Sequence, residues 1–395
     1  MAPPPEATPH QLTRPLRLVQ IGAEWLSPAR MGGANRYAEG LARALSARGI
    51  DQHWLVMGDE GEAPALSLGV RRVSSPDAPL WRRYRALQQG WDAICPAPDC
   101  ATSHFALYAY PLLRRLHRMP HVVHFHGPWA AESRAEGAGR MVVALKRRLE
   151  KSVYASANRF ITLSQAFADV LVKDYRVDAQ RTRVIPGGVD VDRFDLALTR
   201  REARSALGWP QDRPTVLCVR RLVHRMGLER LVEAMETVRV AHPEVRLVIA
   251  GKGPLTPELQ ETIRAKRLGP AVELLGFVPD EQLPLAYRAA DLSIVPSQSL
   301  EGFGLIIAES LAAGTPALVT PVGGMPEVVH ELSPDLVLAG SGGEEIAAGL
   351  TAALDGQLRV PTSQECAAYA RRRFDWPQVA ERVLAVYEEA IASHG

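Results

Sequence analysis

Cysteine is scarce in this 395-residue chain: Cys95, Cys100, Cys218 and Cys366, with one close pair, C-x4-C in "CPAPDC". Without a second pair or a histidine cluster, that spacing suits neither a zinc ribbon nor a disulfide framework, so the thiols are expected to stay free. No apolar run approaches the roughly 18 residues of a membrane span. The opening "MAPPPEATPHQLTRP" lacks the basic-then-apolar order of a secretory leader, so residues 1–14 are expected to be a disordered tail on a cytoplasmic protein. No G-x-S-x-G nucleophile elbow occurs. "GKGPLT" at 251–256 lacks both the third glycine of a dinucleotide fingerprint and the Lys-Ser/Thr of a P-loop, which argues against an oxidoreductase.

What the chain does have is enough length for two cores and the composition of a globular protein, 47% apolar and 23% charged. Its charge is split. Residues 1–200 hold 27 Lys+Arg against 19 Asp+Glu, and residues 201–395 hold 19 against 25. A basic first half suggests an anionic ligand there, a phosphate, an acidic sugar or a membrane face. Nucleic acid is not expected as a partner.

Short β-rich runs alternate with helical-period segments in both halves, the signature of βαβ units. Strands are expected at 15–23, 51–58, 121–127, 159–164 and 181–188, with helices at 34–49 and 139–157 among those between them. After a segment without strand pattern, Val189 to Pro214, the alternation restarts. Strands are expected at 214–221, 245–251, 271–278, 292–297 and 316–321, with helices at 227–240, 256–267, 280–290 and 304–313. The expected fold class is α/β, two Rossmann-like doubly wound parallel-sheet domains facing across a cleft. Residues 15–195 form the first, 196–375 the second, and 376–395 a closing helix that crosses back to the first. Ligands of such sheets bind at their C-terminal edges, so the site should lie between the domains.

"SLEGFGLIIAESLAAGTP", Ser299 to Pro316, carries two glutamates eight residues apart. Glu309 interrupts an apolar helix, where an unpaired carboxylate is costly to bury. A turn containing Gly302 and Gly304 lets backbone amides approach a ligand, and the helix that follows aims its orphan N–H groups at an anion such as a diphosphate.

With its surroundings, this stretch resembles the E-x7-E region of glycosyltransferase family 4, retaining enzymes of GT-B fold. The other carrying residues are Gly32-Gly33, "HFHGPW" (124–129), "VIPGGVDVDRF" (184–194), "VRRLVHRMGLERLVEAM" (219–235), "VIAGKGP" (248–254) and "LLGFVP" (274–279). The resemblance spans about residues 16 to 392. It implies a retaining, metal-independent transfer of a sugar from a UDP-, GDP- or ADP-linked donor to the hydroxyl of a glycan, lipid-linked or small-molecule acceptor, with no cofactor. It implies Glu301 at the donor sugar, Glu309 at the ribose, Arg221 at the diphosphate and His126 at the transferred sugar. Gly32 and Gly33 are implied near the phosphate or acceptor, Phe303, Gly304 and Leu305 in the donor loop, and Gly276, Phe277 and Val278 at the base. The lysine usual five residues after the arginine is Met226 here, which leaves Arg225 or Arg220 as a substitute.

"DVD" at 190–192 imitates a metal-binding D-x-D but lies in the linker pattern rather than after a strand, so metal catalysis is not expected. The helix from Arg140 to Lys151, basic beside Met141, Val142 and Leu145, fits an anionic bilayer, and a peripheral membrane contact would suit a lipid-linked acceptor. Two further readings share these residues: a GT-B sugar-nucleotide epimerase, and a nucleotide-sugar-binding protein that has lost catalysis, motivated by Met226.

Overall fold

The computed structural model describes residues 15–25, 32–58 and 69–394. The expected tail 1–14 lies outside them. Seven parallel strands form the first sheet: β1 (Arg17–Trp25), β2 (Asp51–Gly58), β3 (Val70–Ser74), β4 (Cys100–Ser103), β5 (His121–Phe125), β6 (Arg159–Thr162) and β7 (Thr182–Val184). Their spatial order is β3-β2-β1-β4-β5-β6-β7. Five more form the second: β8 (Thr215–Val219), β9 (Arg246–Ala250), β10 (Val272–Gly276), β11 (Leu292–Val295) and β12 (Ala317–Val319), ordered β10-β9-β8-β11-β12. Both sheets reverse strand order once, between β1 and β4 and between β8 and β11, and a crevice opens at each reversal.

Sequence expectation named five strands in the first sheet, whereas the structure has seven. β3, "VRRVS", is an edge strand with no apolar alternation. β4, "CATS", is four residues long and follows a proline-rich turn, yet every residue in it is buried. Pairing along both edges, with β1 and β5, makes such a segment a strand, and this is a tertiary effect. The stretch from Val189 to Pro214, expected to be a linker, contains helices Val191–Phe194 and Arg200–Leu207. The second starts in a Thr199/Glu202 capping box, and Arg204 pairs with Asp291 at 2.5 Å.

The closing helix Trp376–Ala392 buries Val379, Val383, Val386 and Tyr387 in one cluster with Leu18, Tyr37 and Val122 of the first sheet and its helix Gly33–Ala47. Close approach makes this packing specific. A methyl at Gly40 would sit 2.3 Å from the Trp376 ring, and one at Gly188 2.4 Å from it, so Trp376 is wedged between two positions without a side chain. The halves also meet where the Gln165 and Ala166 amides donate to the Glu327 carboxylate at 2.7 and 2.9 Å, fixing the head of helix Gln165–Tyr175.

Candidate active site

A cavity of about 740 Å³ opens where the C-terminal ends of the two sheets face each other. Expected residues that line it are Gly32, Gly33, His126, Arg221, Arg225, Phe277, Val278, Glu301, Gly304, Leu305 and Glu309. Two expected residues do not. Gly276 ends β10 with φ +71°, and its carbonyl accepts from Gly251 N–H at 2.7 Å, so it turns the chain rather than facing the cavity. Phe303 is buried with its ring edge-on to Phe374 at 5.5 Å, because an aromatic ring is held better by the core than by a polar cleft. It supports the donor loop from behind.

The second-domain wall is cationic. Arg221 follows β8, Arg225 lies in the turn after it, and Lys252 follows β9, with its Nζ 5.7 Å from the centre of the Phe277 ring. Neither Arg221 nor Lys252 has an ion-pair partner among the described residues. Arg225 donates to the Leu300 carbonyl at 3.4 Å, and its Nε is buried without a partner. Burial and then neighbouring Arg225 push the Arg221 pKa down, partly opposed by Glu136 and Glu132. Beside these cations helix Leu305–Ala312 begins, after Gly304 with φ +77°, a left-handed conformation that glycine adopts without strain. Its first turn and the three cations line the same cavity, an arrangement whose charge suits an anion. Met226, where the resembling enzymes carry lysine, is 4% exposed and packs inward.

The glutamates occupy different surroundings. Glu301 is held from behind by Arg220, which also donates to Ser297. Arg220 is therefore engaged with Glu301, and Arg225 and Lys252 are the cations added to Arg221. Glu309 answers the question its helix raised. Its carboxylate accepts from Tyr287 Oη at 3.3 Å and lies 3.9 Å from Arg36 Nη1, which arrives from the opposite domain and also pairs with Asp280. Burial pushes the Glu309 carboxyl above its usual range, against the pull of Arg36 and Arg193. For Arg36, burial acts downward, but Glu309 and Asp280 outweigh it and the net shift is up.

On the first-domain wall, His126 is one of three stacked imidazoles. The His104 ring lies 4.4 Å from His124 and 5.5 Å from His126. Gln20 Oε1 accepts from Thr102 Oγ1 and from His104 Nε2, the latter at 3.0 Å. With its proton on Nε2, neutral His104 accepts at Nδ1 from His126 Nε2, 3.2 Å away. The network thus assigns the Nε2–H tautomer to His126 and leaves its Nδ1 lone pair open. Burial pushes the His126 pKa down to about 4, which keeps this tautomer neutral near pH 7. His124 sits deeper, between Tyr37 Oη at 3.2 Å and Tyr387 Oη at 2.8 Å, and is structural.

Sequence reasoning missed Arg36, Lys252, His104, Glu24, Glu132, Phe105 and Trp129, all of which line the cavity. Lys252 lies inside a motif noticed for its glycines, and Trp129 ends "HFHGPW"; the others carried no spacing signal. Aspartates of the "DVD" segment have structural partners: Asp190 caps a helix through Arg193 N–H at 3.2 Å, and Asp192 pairs with Arg371 at 2.8 Å.

Glu150 reaches the cavity floor, wholly buried, accepting from Tyr175 Oη at 2.8 Å. Burial pushes its pKa up to about 7, although Tyr175 and the Trp129 and Ala130 amides favour the charged form. A carboxyl whose folded pKa exceeds its unfolded value stabilises the fold fully below the unfolded value, and that contribution is lost as pH rises through the folded one. Glu150→Gln is therefore expected to gain on the wild type by about 3 kcal/mol between pH 5 and pH 8, an order-of-magnitude figure. Urea titrations at both pH values test this; parallel pH dependence of the two proteins would refute it.

Comparison with known proteins agrees with this geometry. "Glycosyltransferase Family 4" matches residues 31–193, and "Glycosyl transferases group 1" matches residues 199–373. A D-inositol 3-phosphate glycosyltransferase of Acidothermus cellulolyticus is 31% identical, over 91% of this chain and 86% of its own length. Sucrose-phosphate synthase from Thermosynechococcus elongatus superposes with a TM-score of 0.78 at 21% identity, covering 96% of this chain and all of that one. Anabaena HepE, solved with UDP and glucose, gives 0.74 at 19% identity over the same shares. Fold and cleft define a two-domain GT-B glycosyltransferase. The chain belongs to glycosyltransferase family 4.

Proposed function

We propose that the protein is a retaining, metal-independent glycosyltransferase using a nucleoside-diphosphate sugar. The observation that carries this reading is the cation cluster Arg221, Arg225 and Lys252 at the head of helix Leu305–Ala312, with Glu301 and Glu309 on the same helix and its loop. As the bond from the sugar's C1 to the diphosphate breaks, negative charge grows on the phosphate oxygens. Preorganised cations and amides stabilise that charge more in the transition state than in the ground state. Three side-chain cations supply what a divalent ion supplies elsewhere. The acceptor oxygen then bonds to C1 on the face the diphosphate leaves, and its proton passes to a departing phosphate oxygen, which retains configuration.

Glu309 would accept from the ribose hydroxyls, displacing Arg36 toward Asp280, and the backbone of Phe277 and Val278 would face the base. UDP is the first nucleotide to try because the HepE neighbour binds it. His126, with an open Nδ1, would accept a hydroxyl of the transferred sugar. Arg225 and Lys252 supply charge around Met226, which weakens the motive for a catalytically inactive binding protein. Proton NMR of the product formed in excess EDTA tests the proposal. An axial donor linkage should give an axial product; an inverted product, or transfer only with added metal, would refute it.

The membrane contact belongs to the same proposal. Helix Arg140–Ala155 exposes Met141 (87%), Leu145 (68%) and Val142 (48%) beside Arg140, Arg147, Arg148 and Lys151. Lys146 instead turns inward, donating to Ser133 Oγ at 2.6 Å. Vesicles containing phosphatidylglycerol should sediment the wild type and release Met141→Glu/Leu145→Glu; equal sedimentation of both would remove this helix from the account.

A further inference from the structure

The two walls of the cleft differ in charge. Among the described residues that line the cavity, the cations without a carboxylate partner come from the second domain, whereas the first domain contributes Glu24, Glu132 and the buried Glu150, with Arg36 as its one lining cation. Lys146 lies against the Trp129 ring, outside that lining, and donates to Ser133 Oγ. Arg36 is committed to Asp280 and Glu309. The basic excess of the first half lies elsewhere, on outward faces: Arg82, Arg85, Arg114, Arg118, Arg147 and Arg148 are all exposed. The basic excess expected to meet an anionic ligand or a membrane face therefore does not describe the cleft wall of this half.

Glu24, at the end of β1, accepts from Tyr108 Oη at 2.7 Å, which fixes one carboxylate oxygen. Glu132, on helix Trp129–Ala135, follows "HFHG" closely enough that a methyl at Gly127 would sit 2.9 Å from its Oε1. It makes no ion pair among the described residues and shares the cavity lining with Arg221 and Arg225; burial pushes its carboxyl up, against the pull of those two cations. Near it, Phe105 and Trp129 meet edge to face at 5.0 Å, and Lys146 lies 4.3 Å from the Trp129 ring. Aromatic faces suit the C–H faces of a sugar ring, and carboxylates accept from hydroxyl or ammonium groups. A phosphate placed there would meet like charge in a cleft of low dielectric.

We infer that the acceptor is a hydroxyl-rich sugar or polyol without a phosphate, sulfate or carboxylate group at the cleft, packed on Phe105 and Trp129 and hydrogen-bonded to Glu24 and Glu132. The inference rests on the glycosyltransferase reading and sets this protein apart from relatives named for inositol 3-phosphate. An amine on the acceptor is compatible with both carboxylates.

The test uses the full chain saturated with UDP, GDP or ADP, whichever binds. Glucose, glucosamine and myo-inositol are titrated against glucose 6-phosphate, glucosamine 6-phosphate and inositol 3-phosphate, with binding read by saturation-transfer NMR. At least one unphosphorylated member should bind about tenfold more tightly than its phosphate. Glu24→Gln/Glu132→Gln, which keeps hydrogen-bonding oxygens but removes both charges, should narrow that ratio to about two. Tighter binding of the phosphates, an unchanged ratio in the double variant, or binding of neither series beside a bound nucleotide would overturn the acceptor assignment alone. Failure of every nucleoside diphosphate to bind would overturn the glycosyltransferase reading and this inference with it.

Discussion

Glu301→Ala is expected to abolish detectable transfer and to lower stability by about 3–5 kcal/mol, the usual cost of stranding one member of a buried ion pair. The partner left behind is Arg220, whose side chain is only 8% exposed and whose Nε already lacks a partner. Ser297 would remain as a neutral acceptor, too weak to replace a carboxylate. The loss should appear as a lower urea midpoint with an unchanged slope. Arg220→Met/Glu301→Leu should recover most of the stability, since an apolar pair of similar volume often replaces a buried ion pair at little cost, but none of the activity. An unchanged midpoint for Glu301→Ala would show that Arg220 does not depend on it.

Arg221→Ala is expected to lower kcat by about 10²–10³, the range seen when one preorganised donor to developing charge is removed. Affinity for the nucleoside diphosphate should fall less, because Arg225, Lys252 and the helix amides still hold the ground-state charge. Arg221→Lys should restore part of the rate, as a point charge lacking the bidentate fork. Arg225→Ala should fall short of the Arg221 effect, because its guanidinium is partly occupied by the Leu300 carbonyl. Initial rates at saturating donor decide this. A kcat within threefold of wild type for Arg221→Ala would place the charge stabilisation on other groups.

Much of this arrangement was legible in the residues. Alternation of apolar runs with helical segments marks both sheets, since parallel strands buried on both faces need continuous apolar sequence, as in "HVVHF". Two strands escaped because β3 lies at an edge with none of its residues buried, and β4 is four residues long and buried between strands distant in sequence. The capping box at Thr199 was visible in "TRRE", yet a helix with two buried residues has too little apolar pattern to announce itself.

Of the residues the sequence marked, Arg221, Glu301 and Gly304 in turns and Glu309 in the helix that follows all line the cavity. Arg36 and Glu132 were not, because each acts across the cleft on a residue of the other half. Phe303 lies in the donor loop, but its ring packs against Phe374, a direction that adjacency along the chain does not record. Arg220 and Arg221 are neighbours in sequence, and only the structure divides them into a partner for Glu301 and a cation facing the cleft.

The most direct test of the central claim is isothermal calorimetry of UDP, GDP, ADP and NAD against wild type and Glu309→Ala, each with and without EDTA. The account predicts that one nucleoside diphosphate binds equally well in EDTA, and that Glu309→Ala weakens it by about 1–3 kcal/mol, the cost of leaving hydrogen-bonded hydroxyls unpaired. Binding of NAD alone, binding that requires a divalent ion, or wild-type affinity in Glu309→Ala would contradict it.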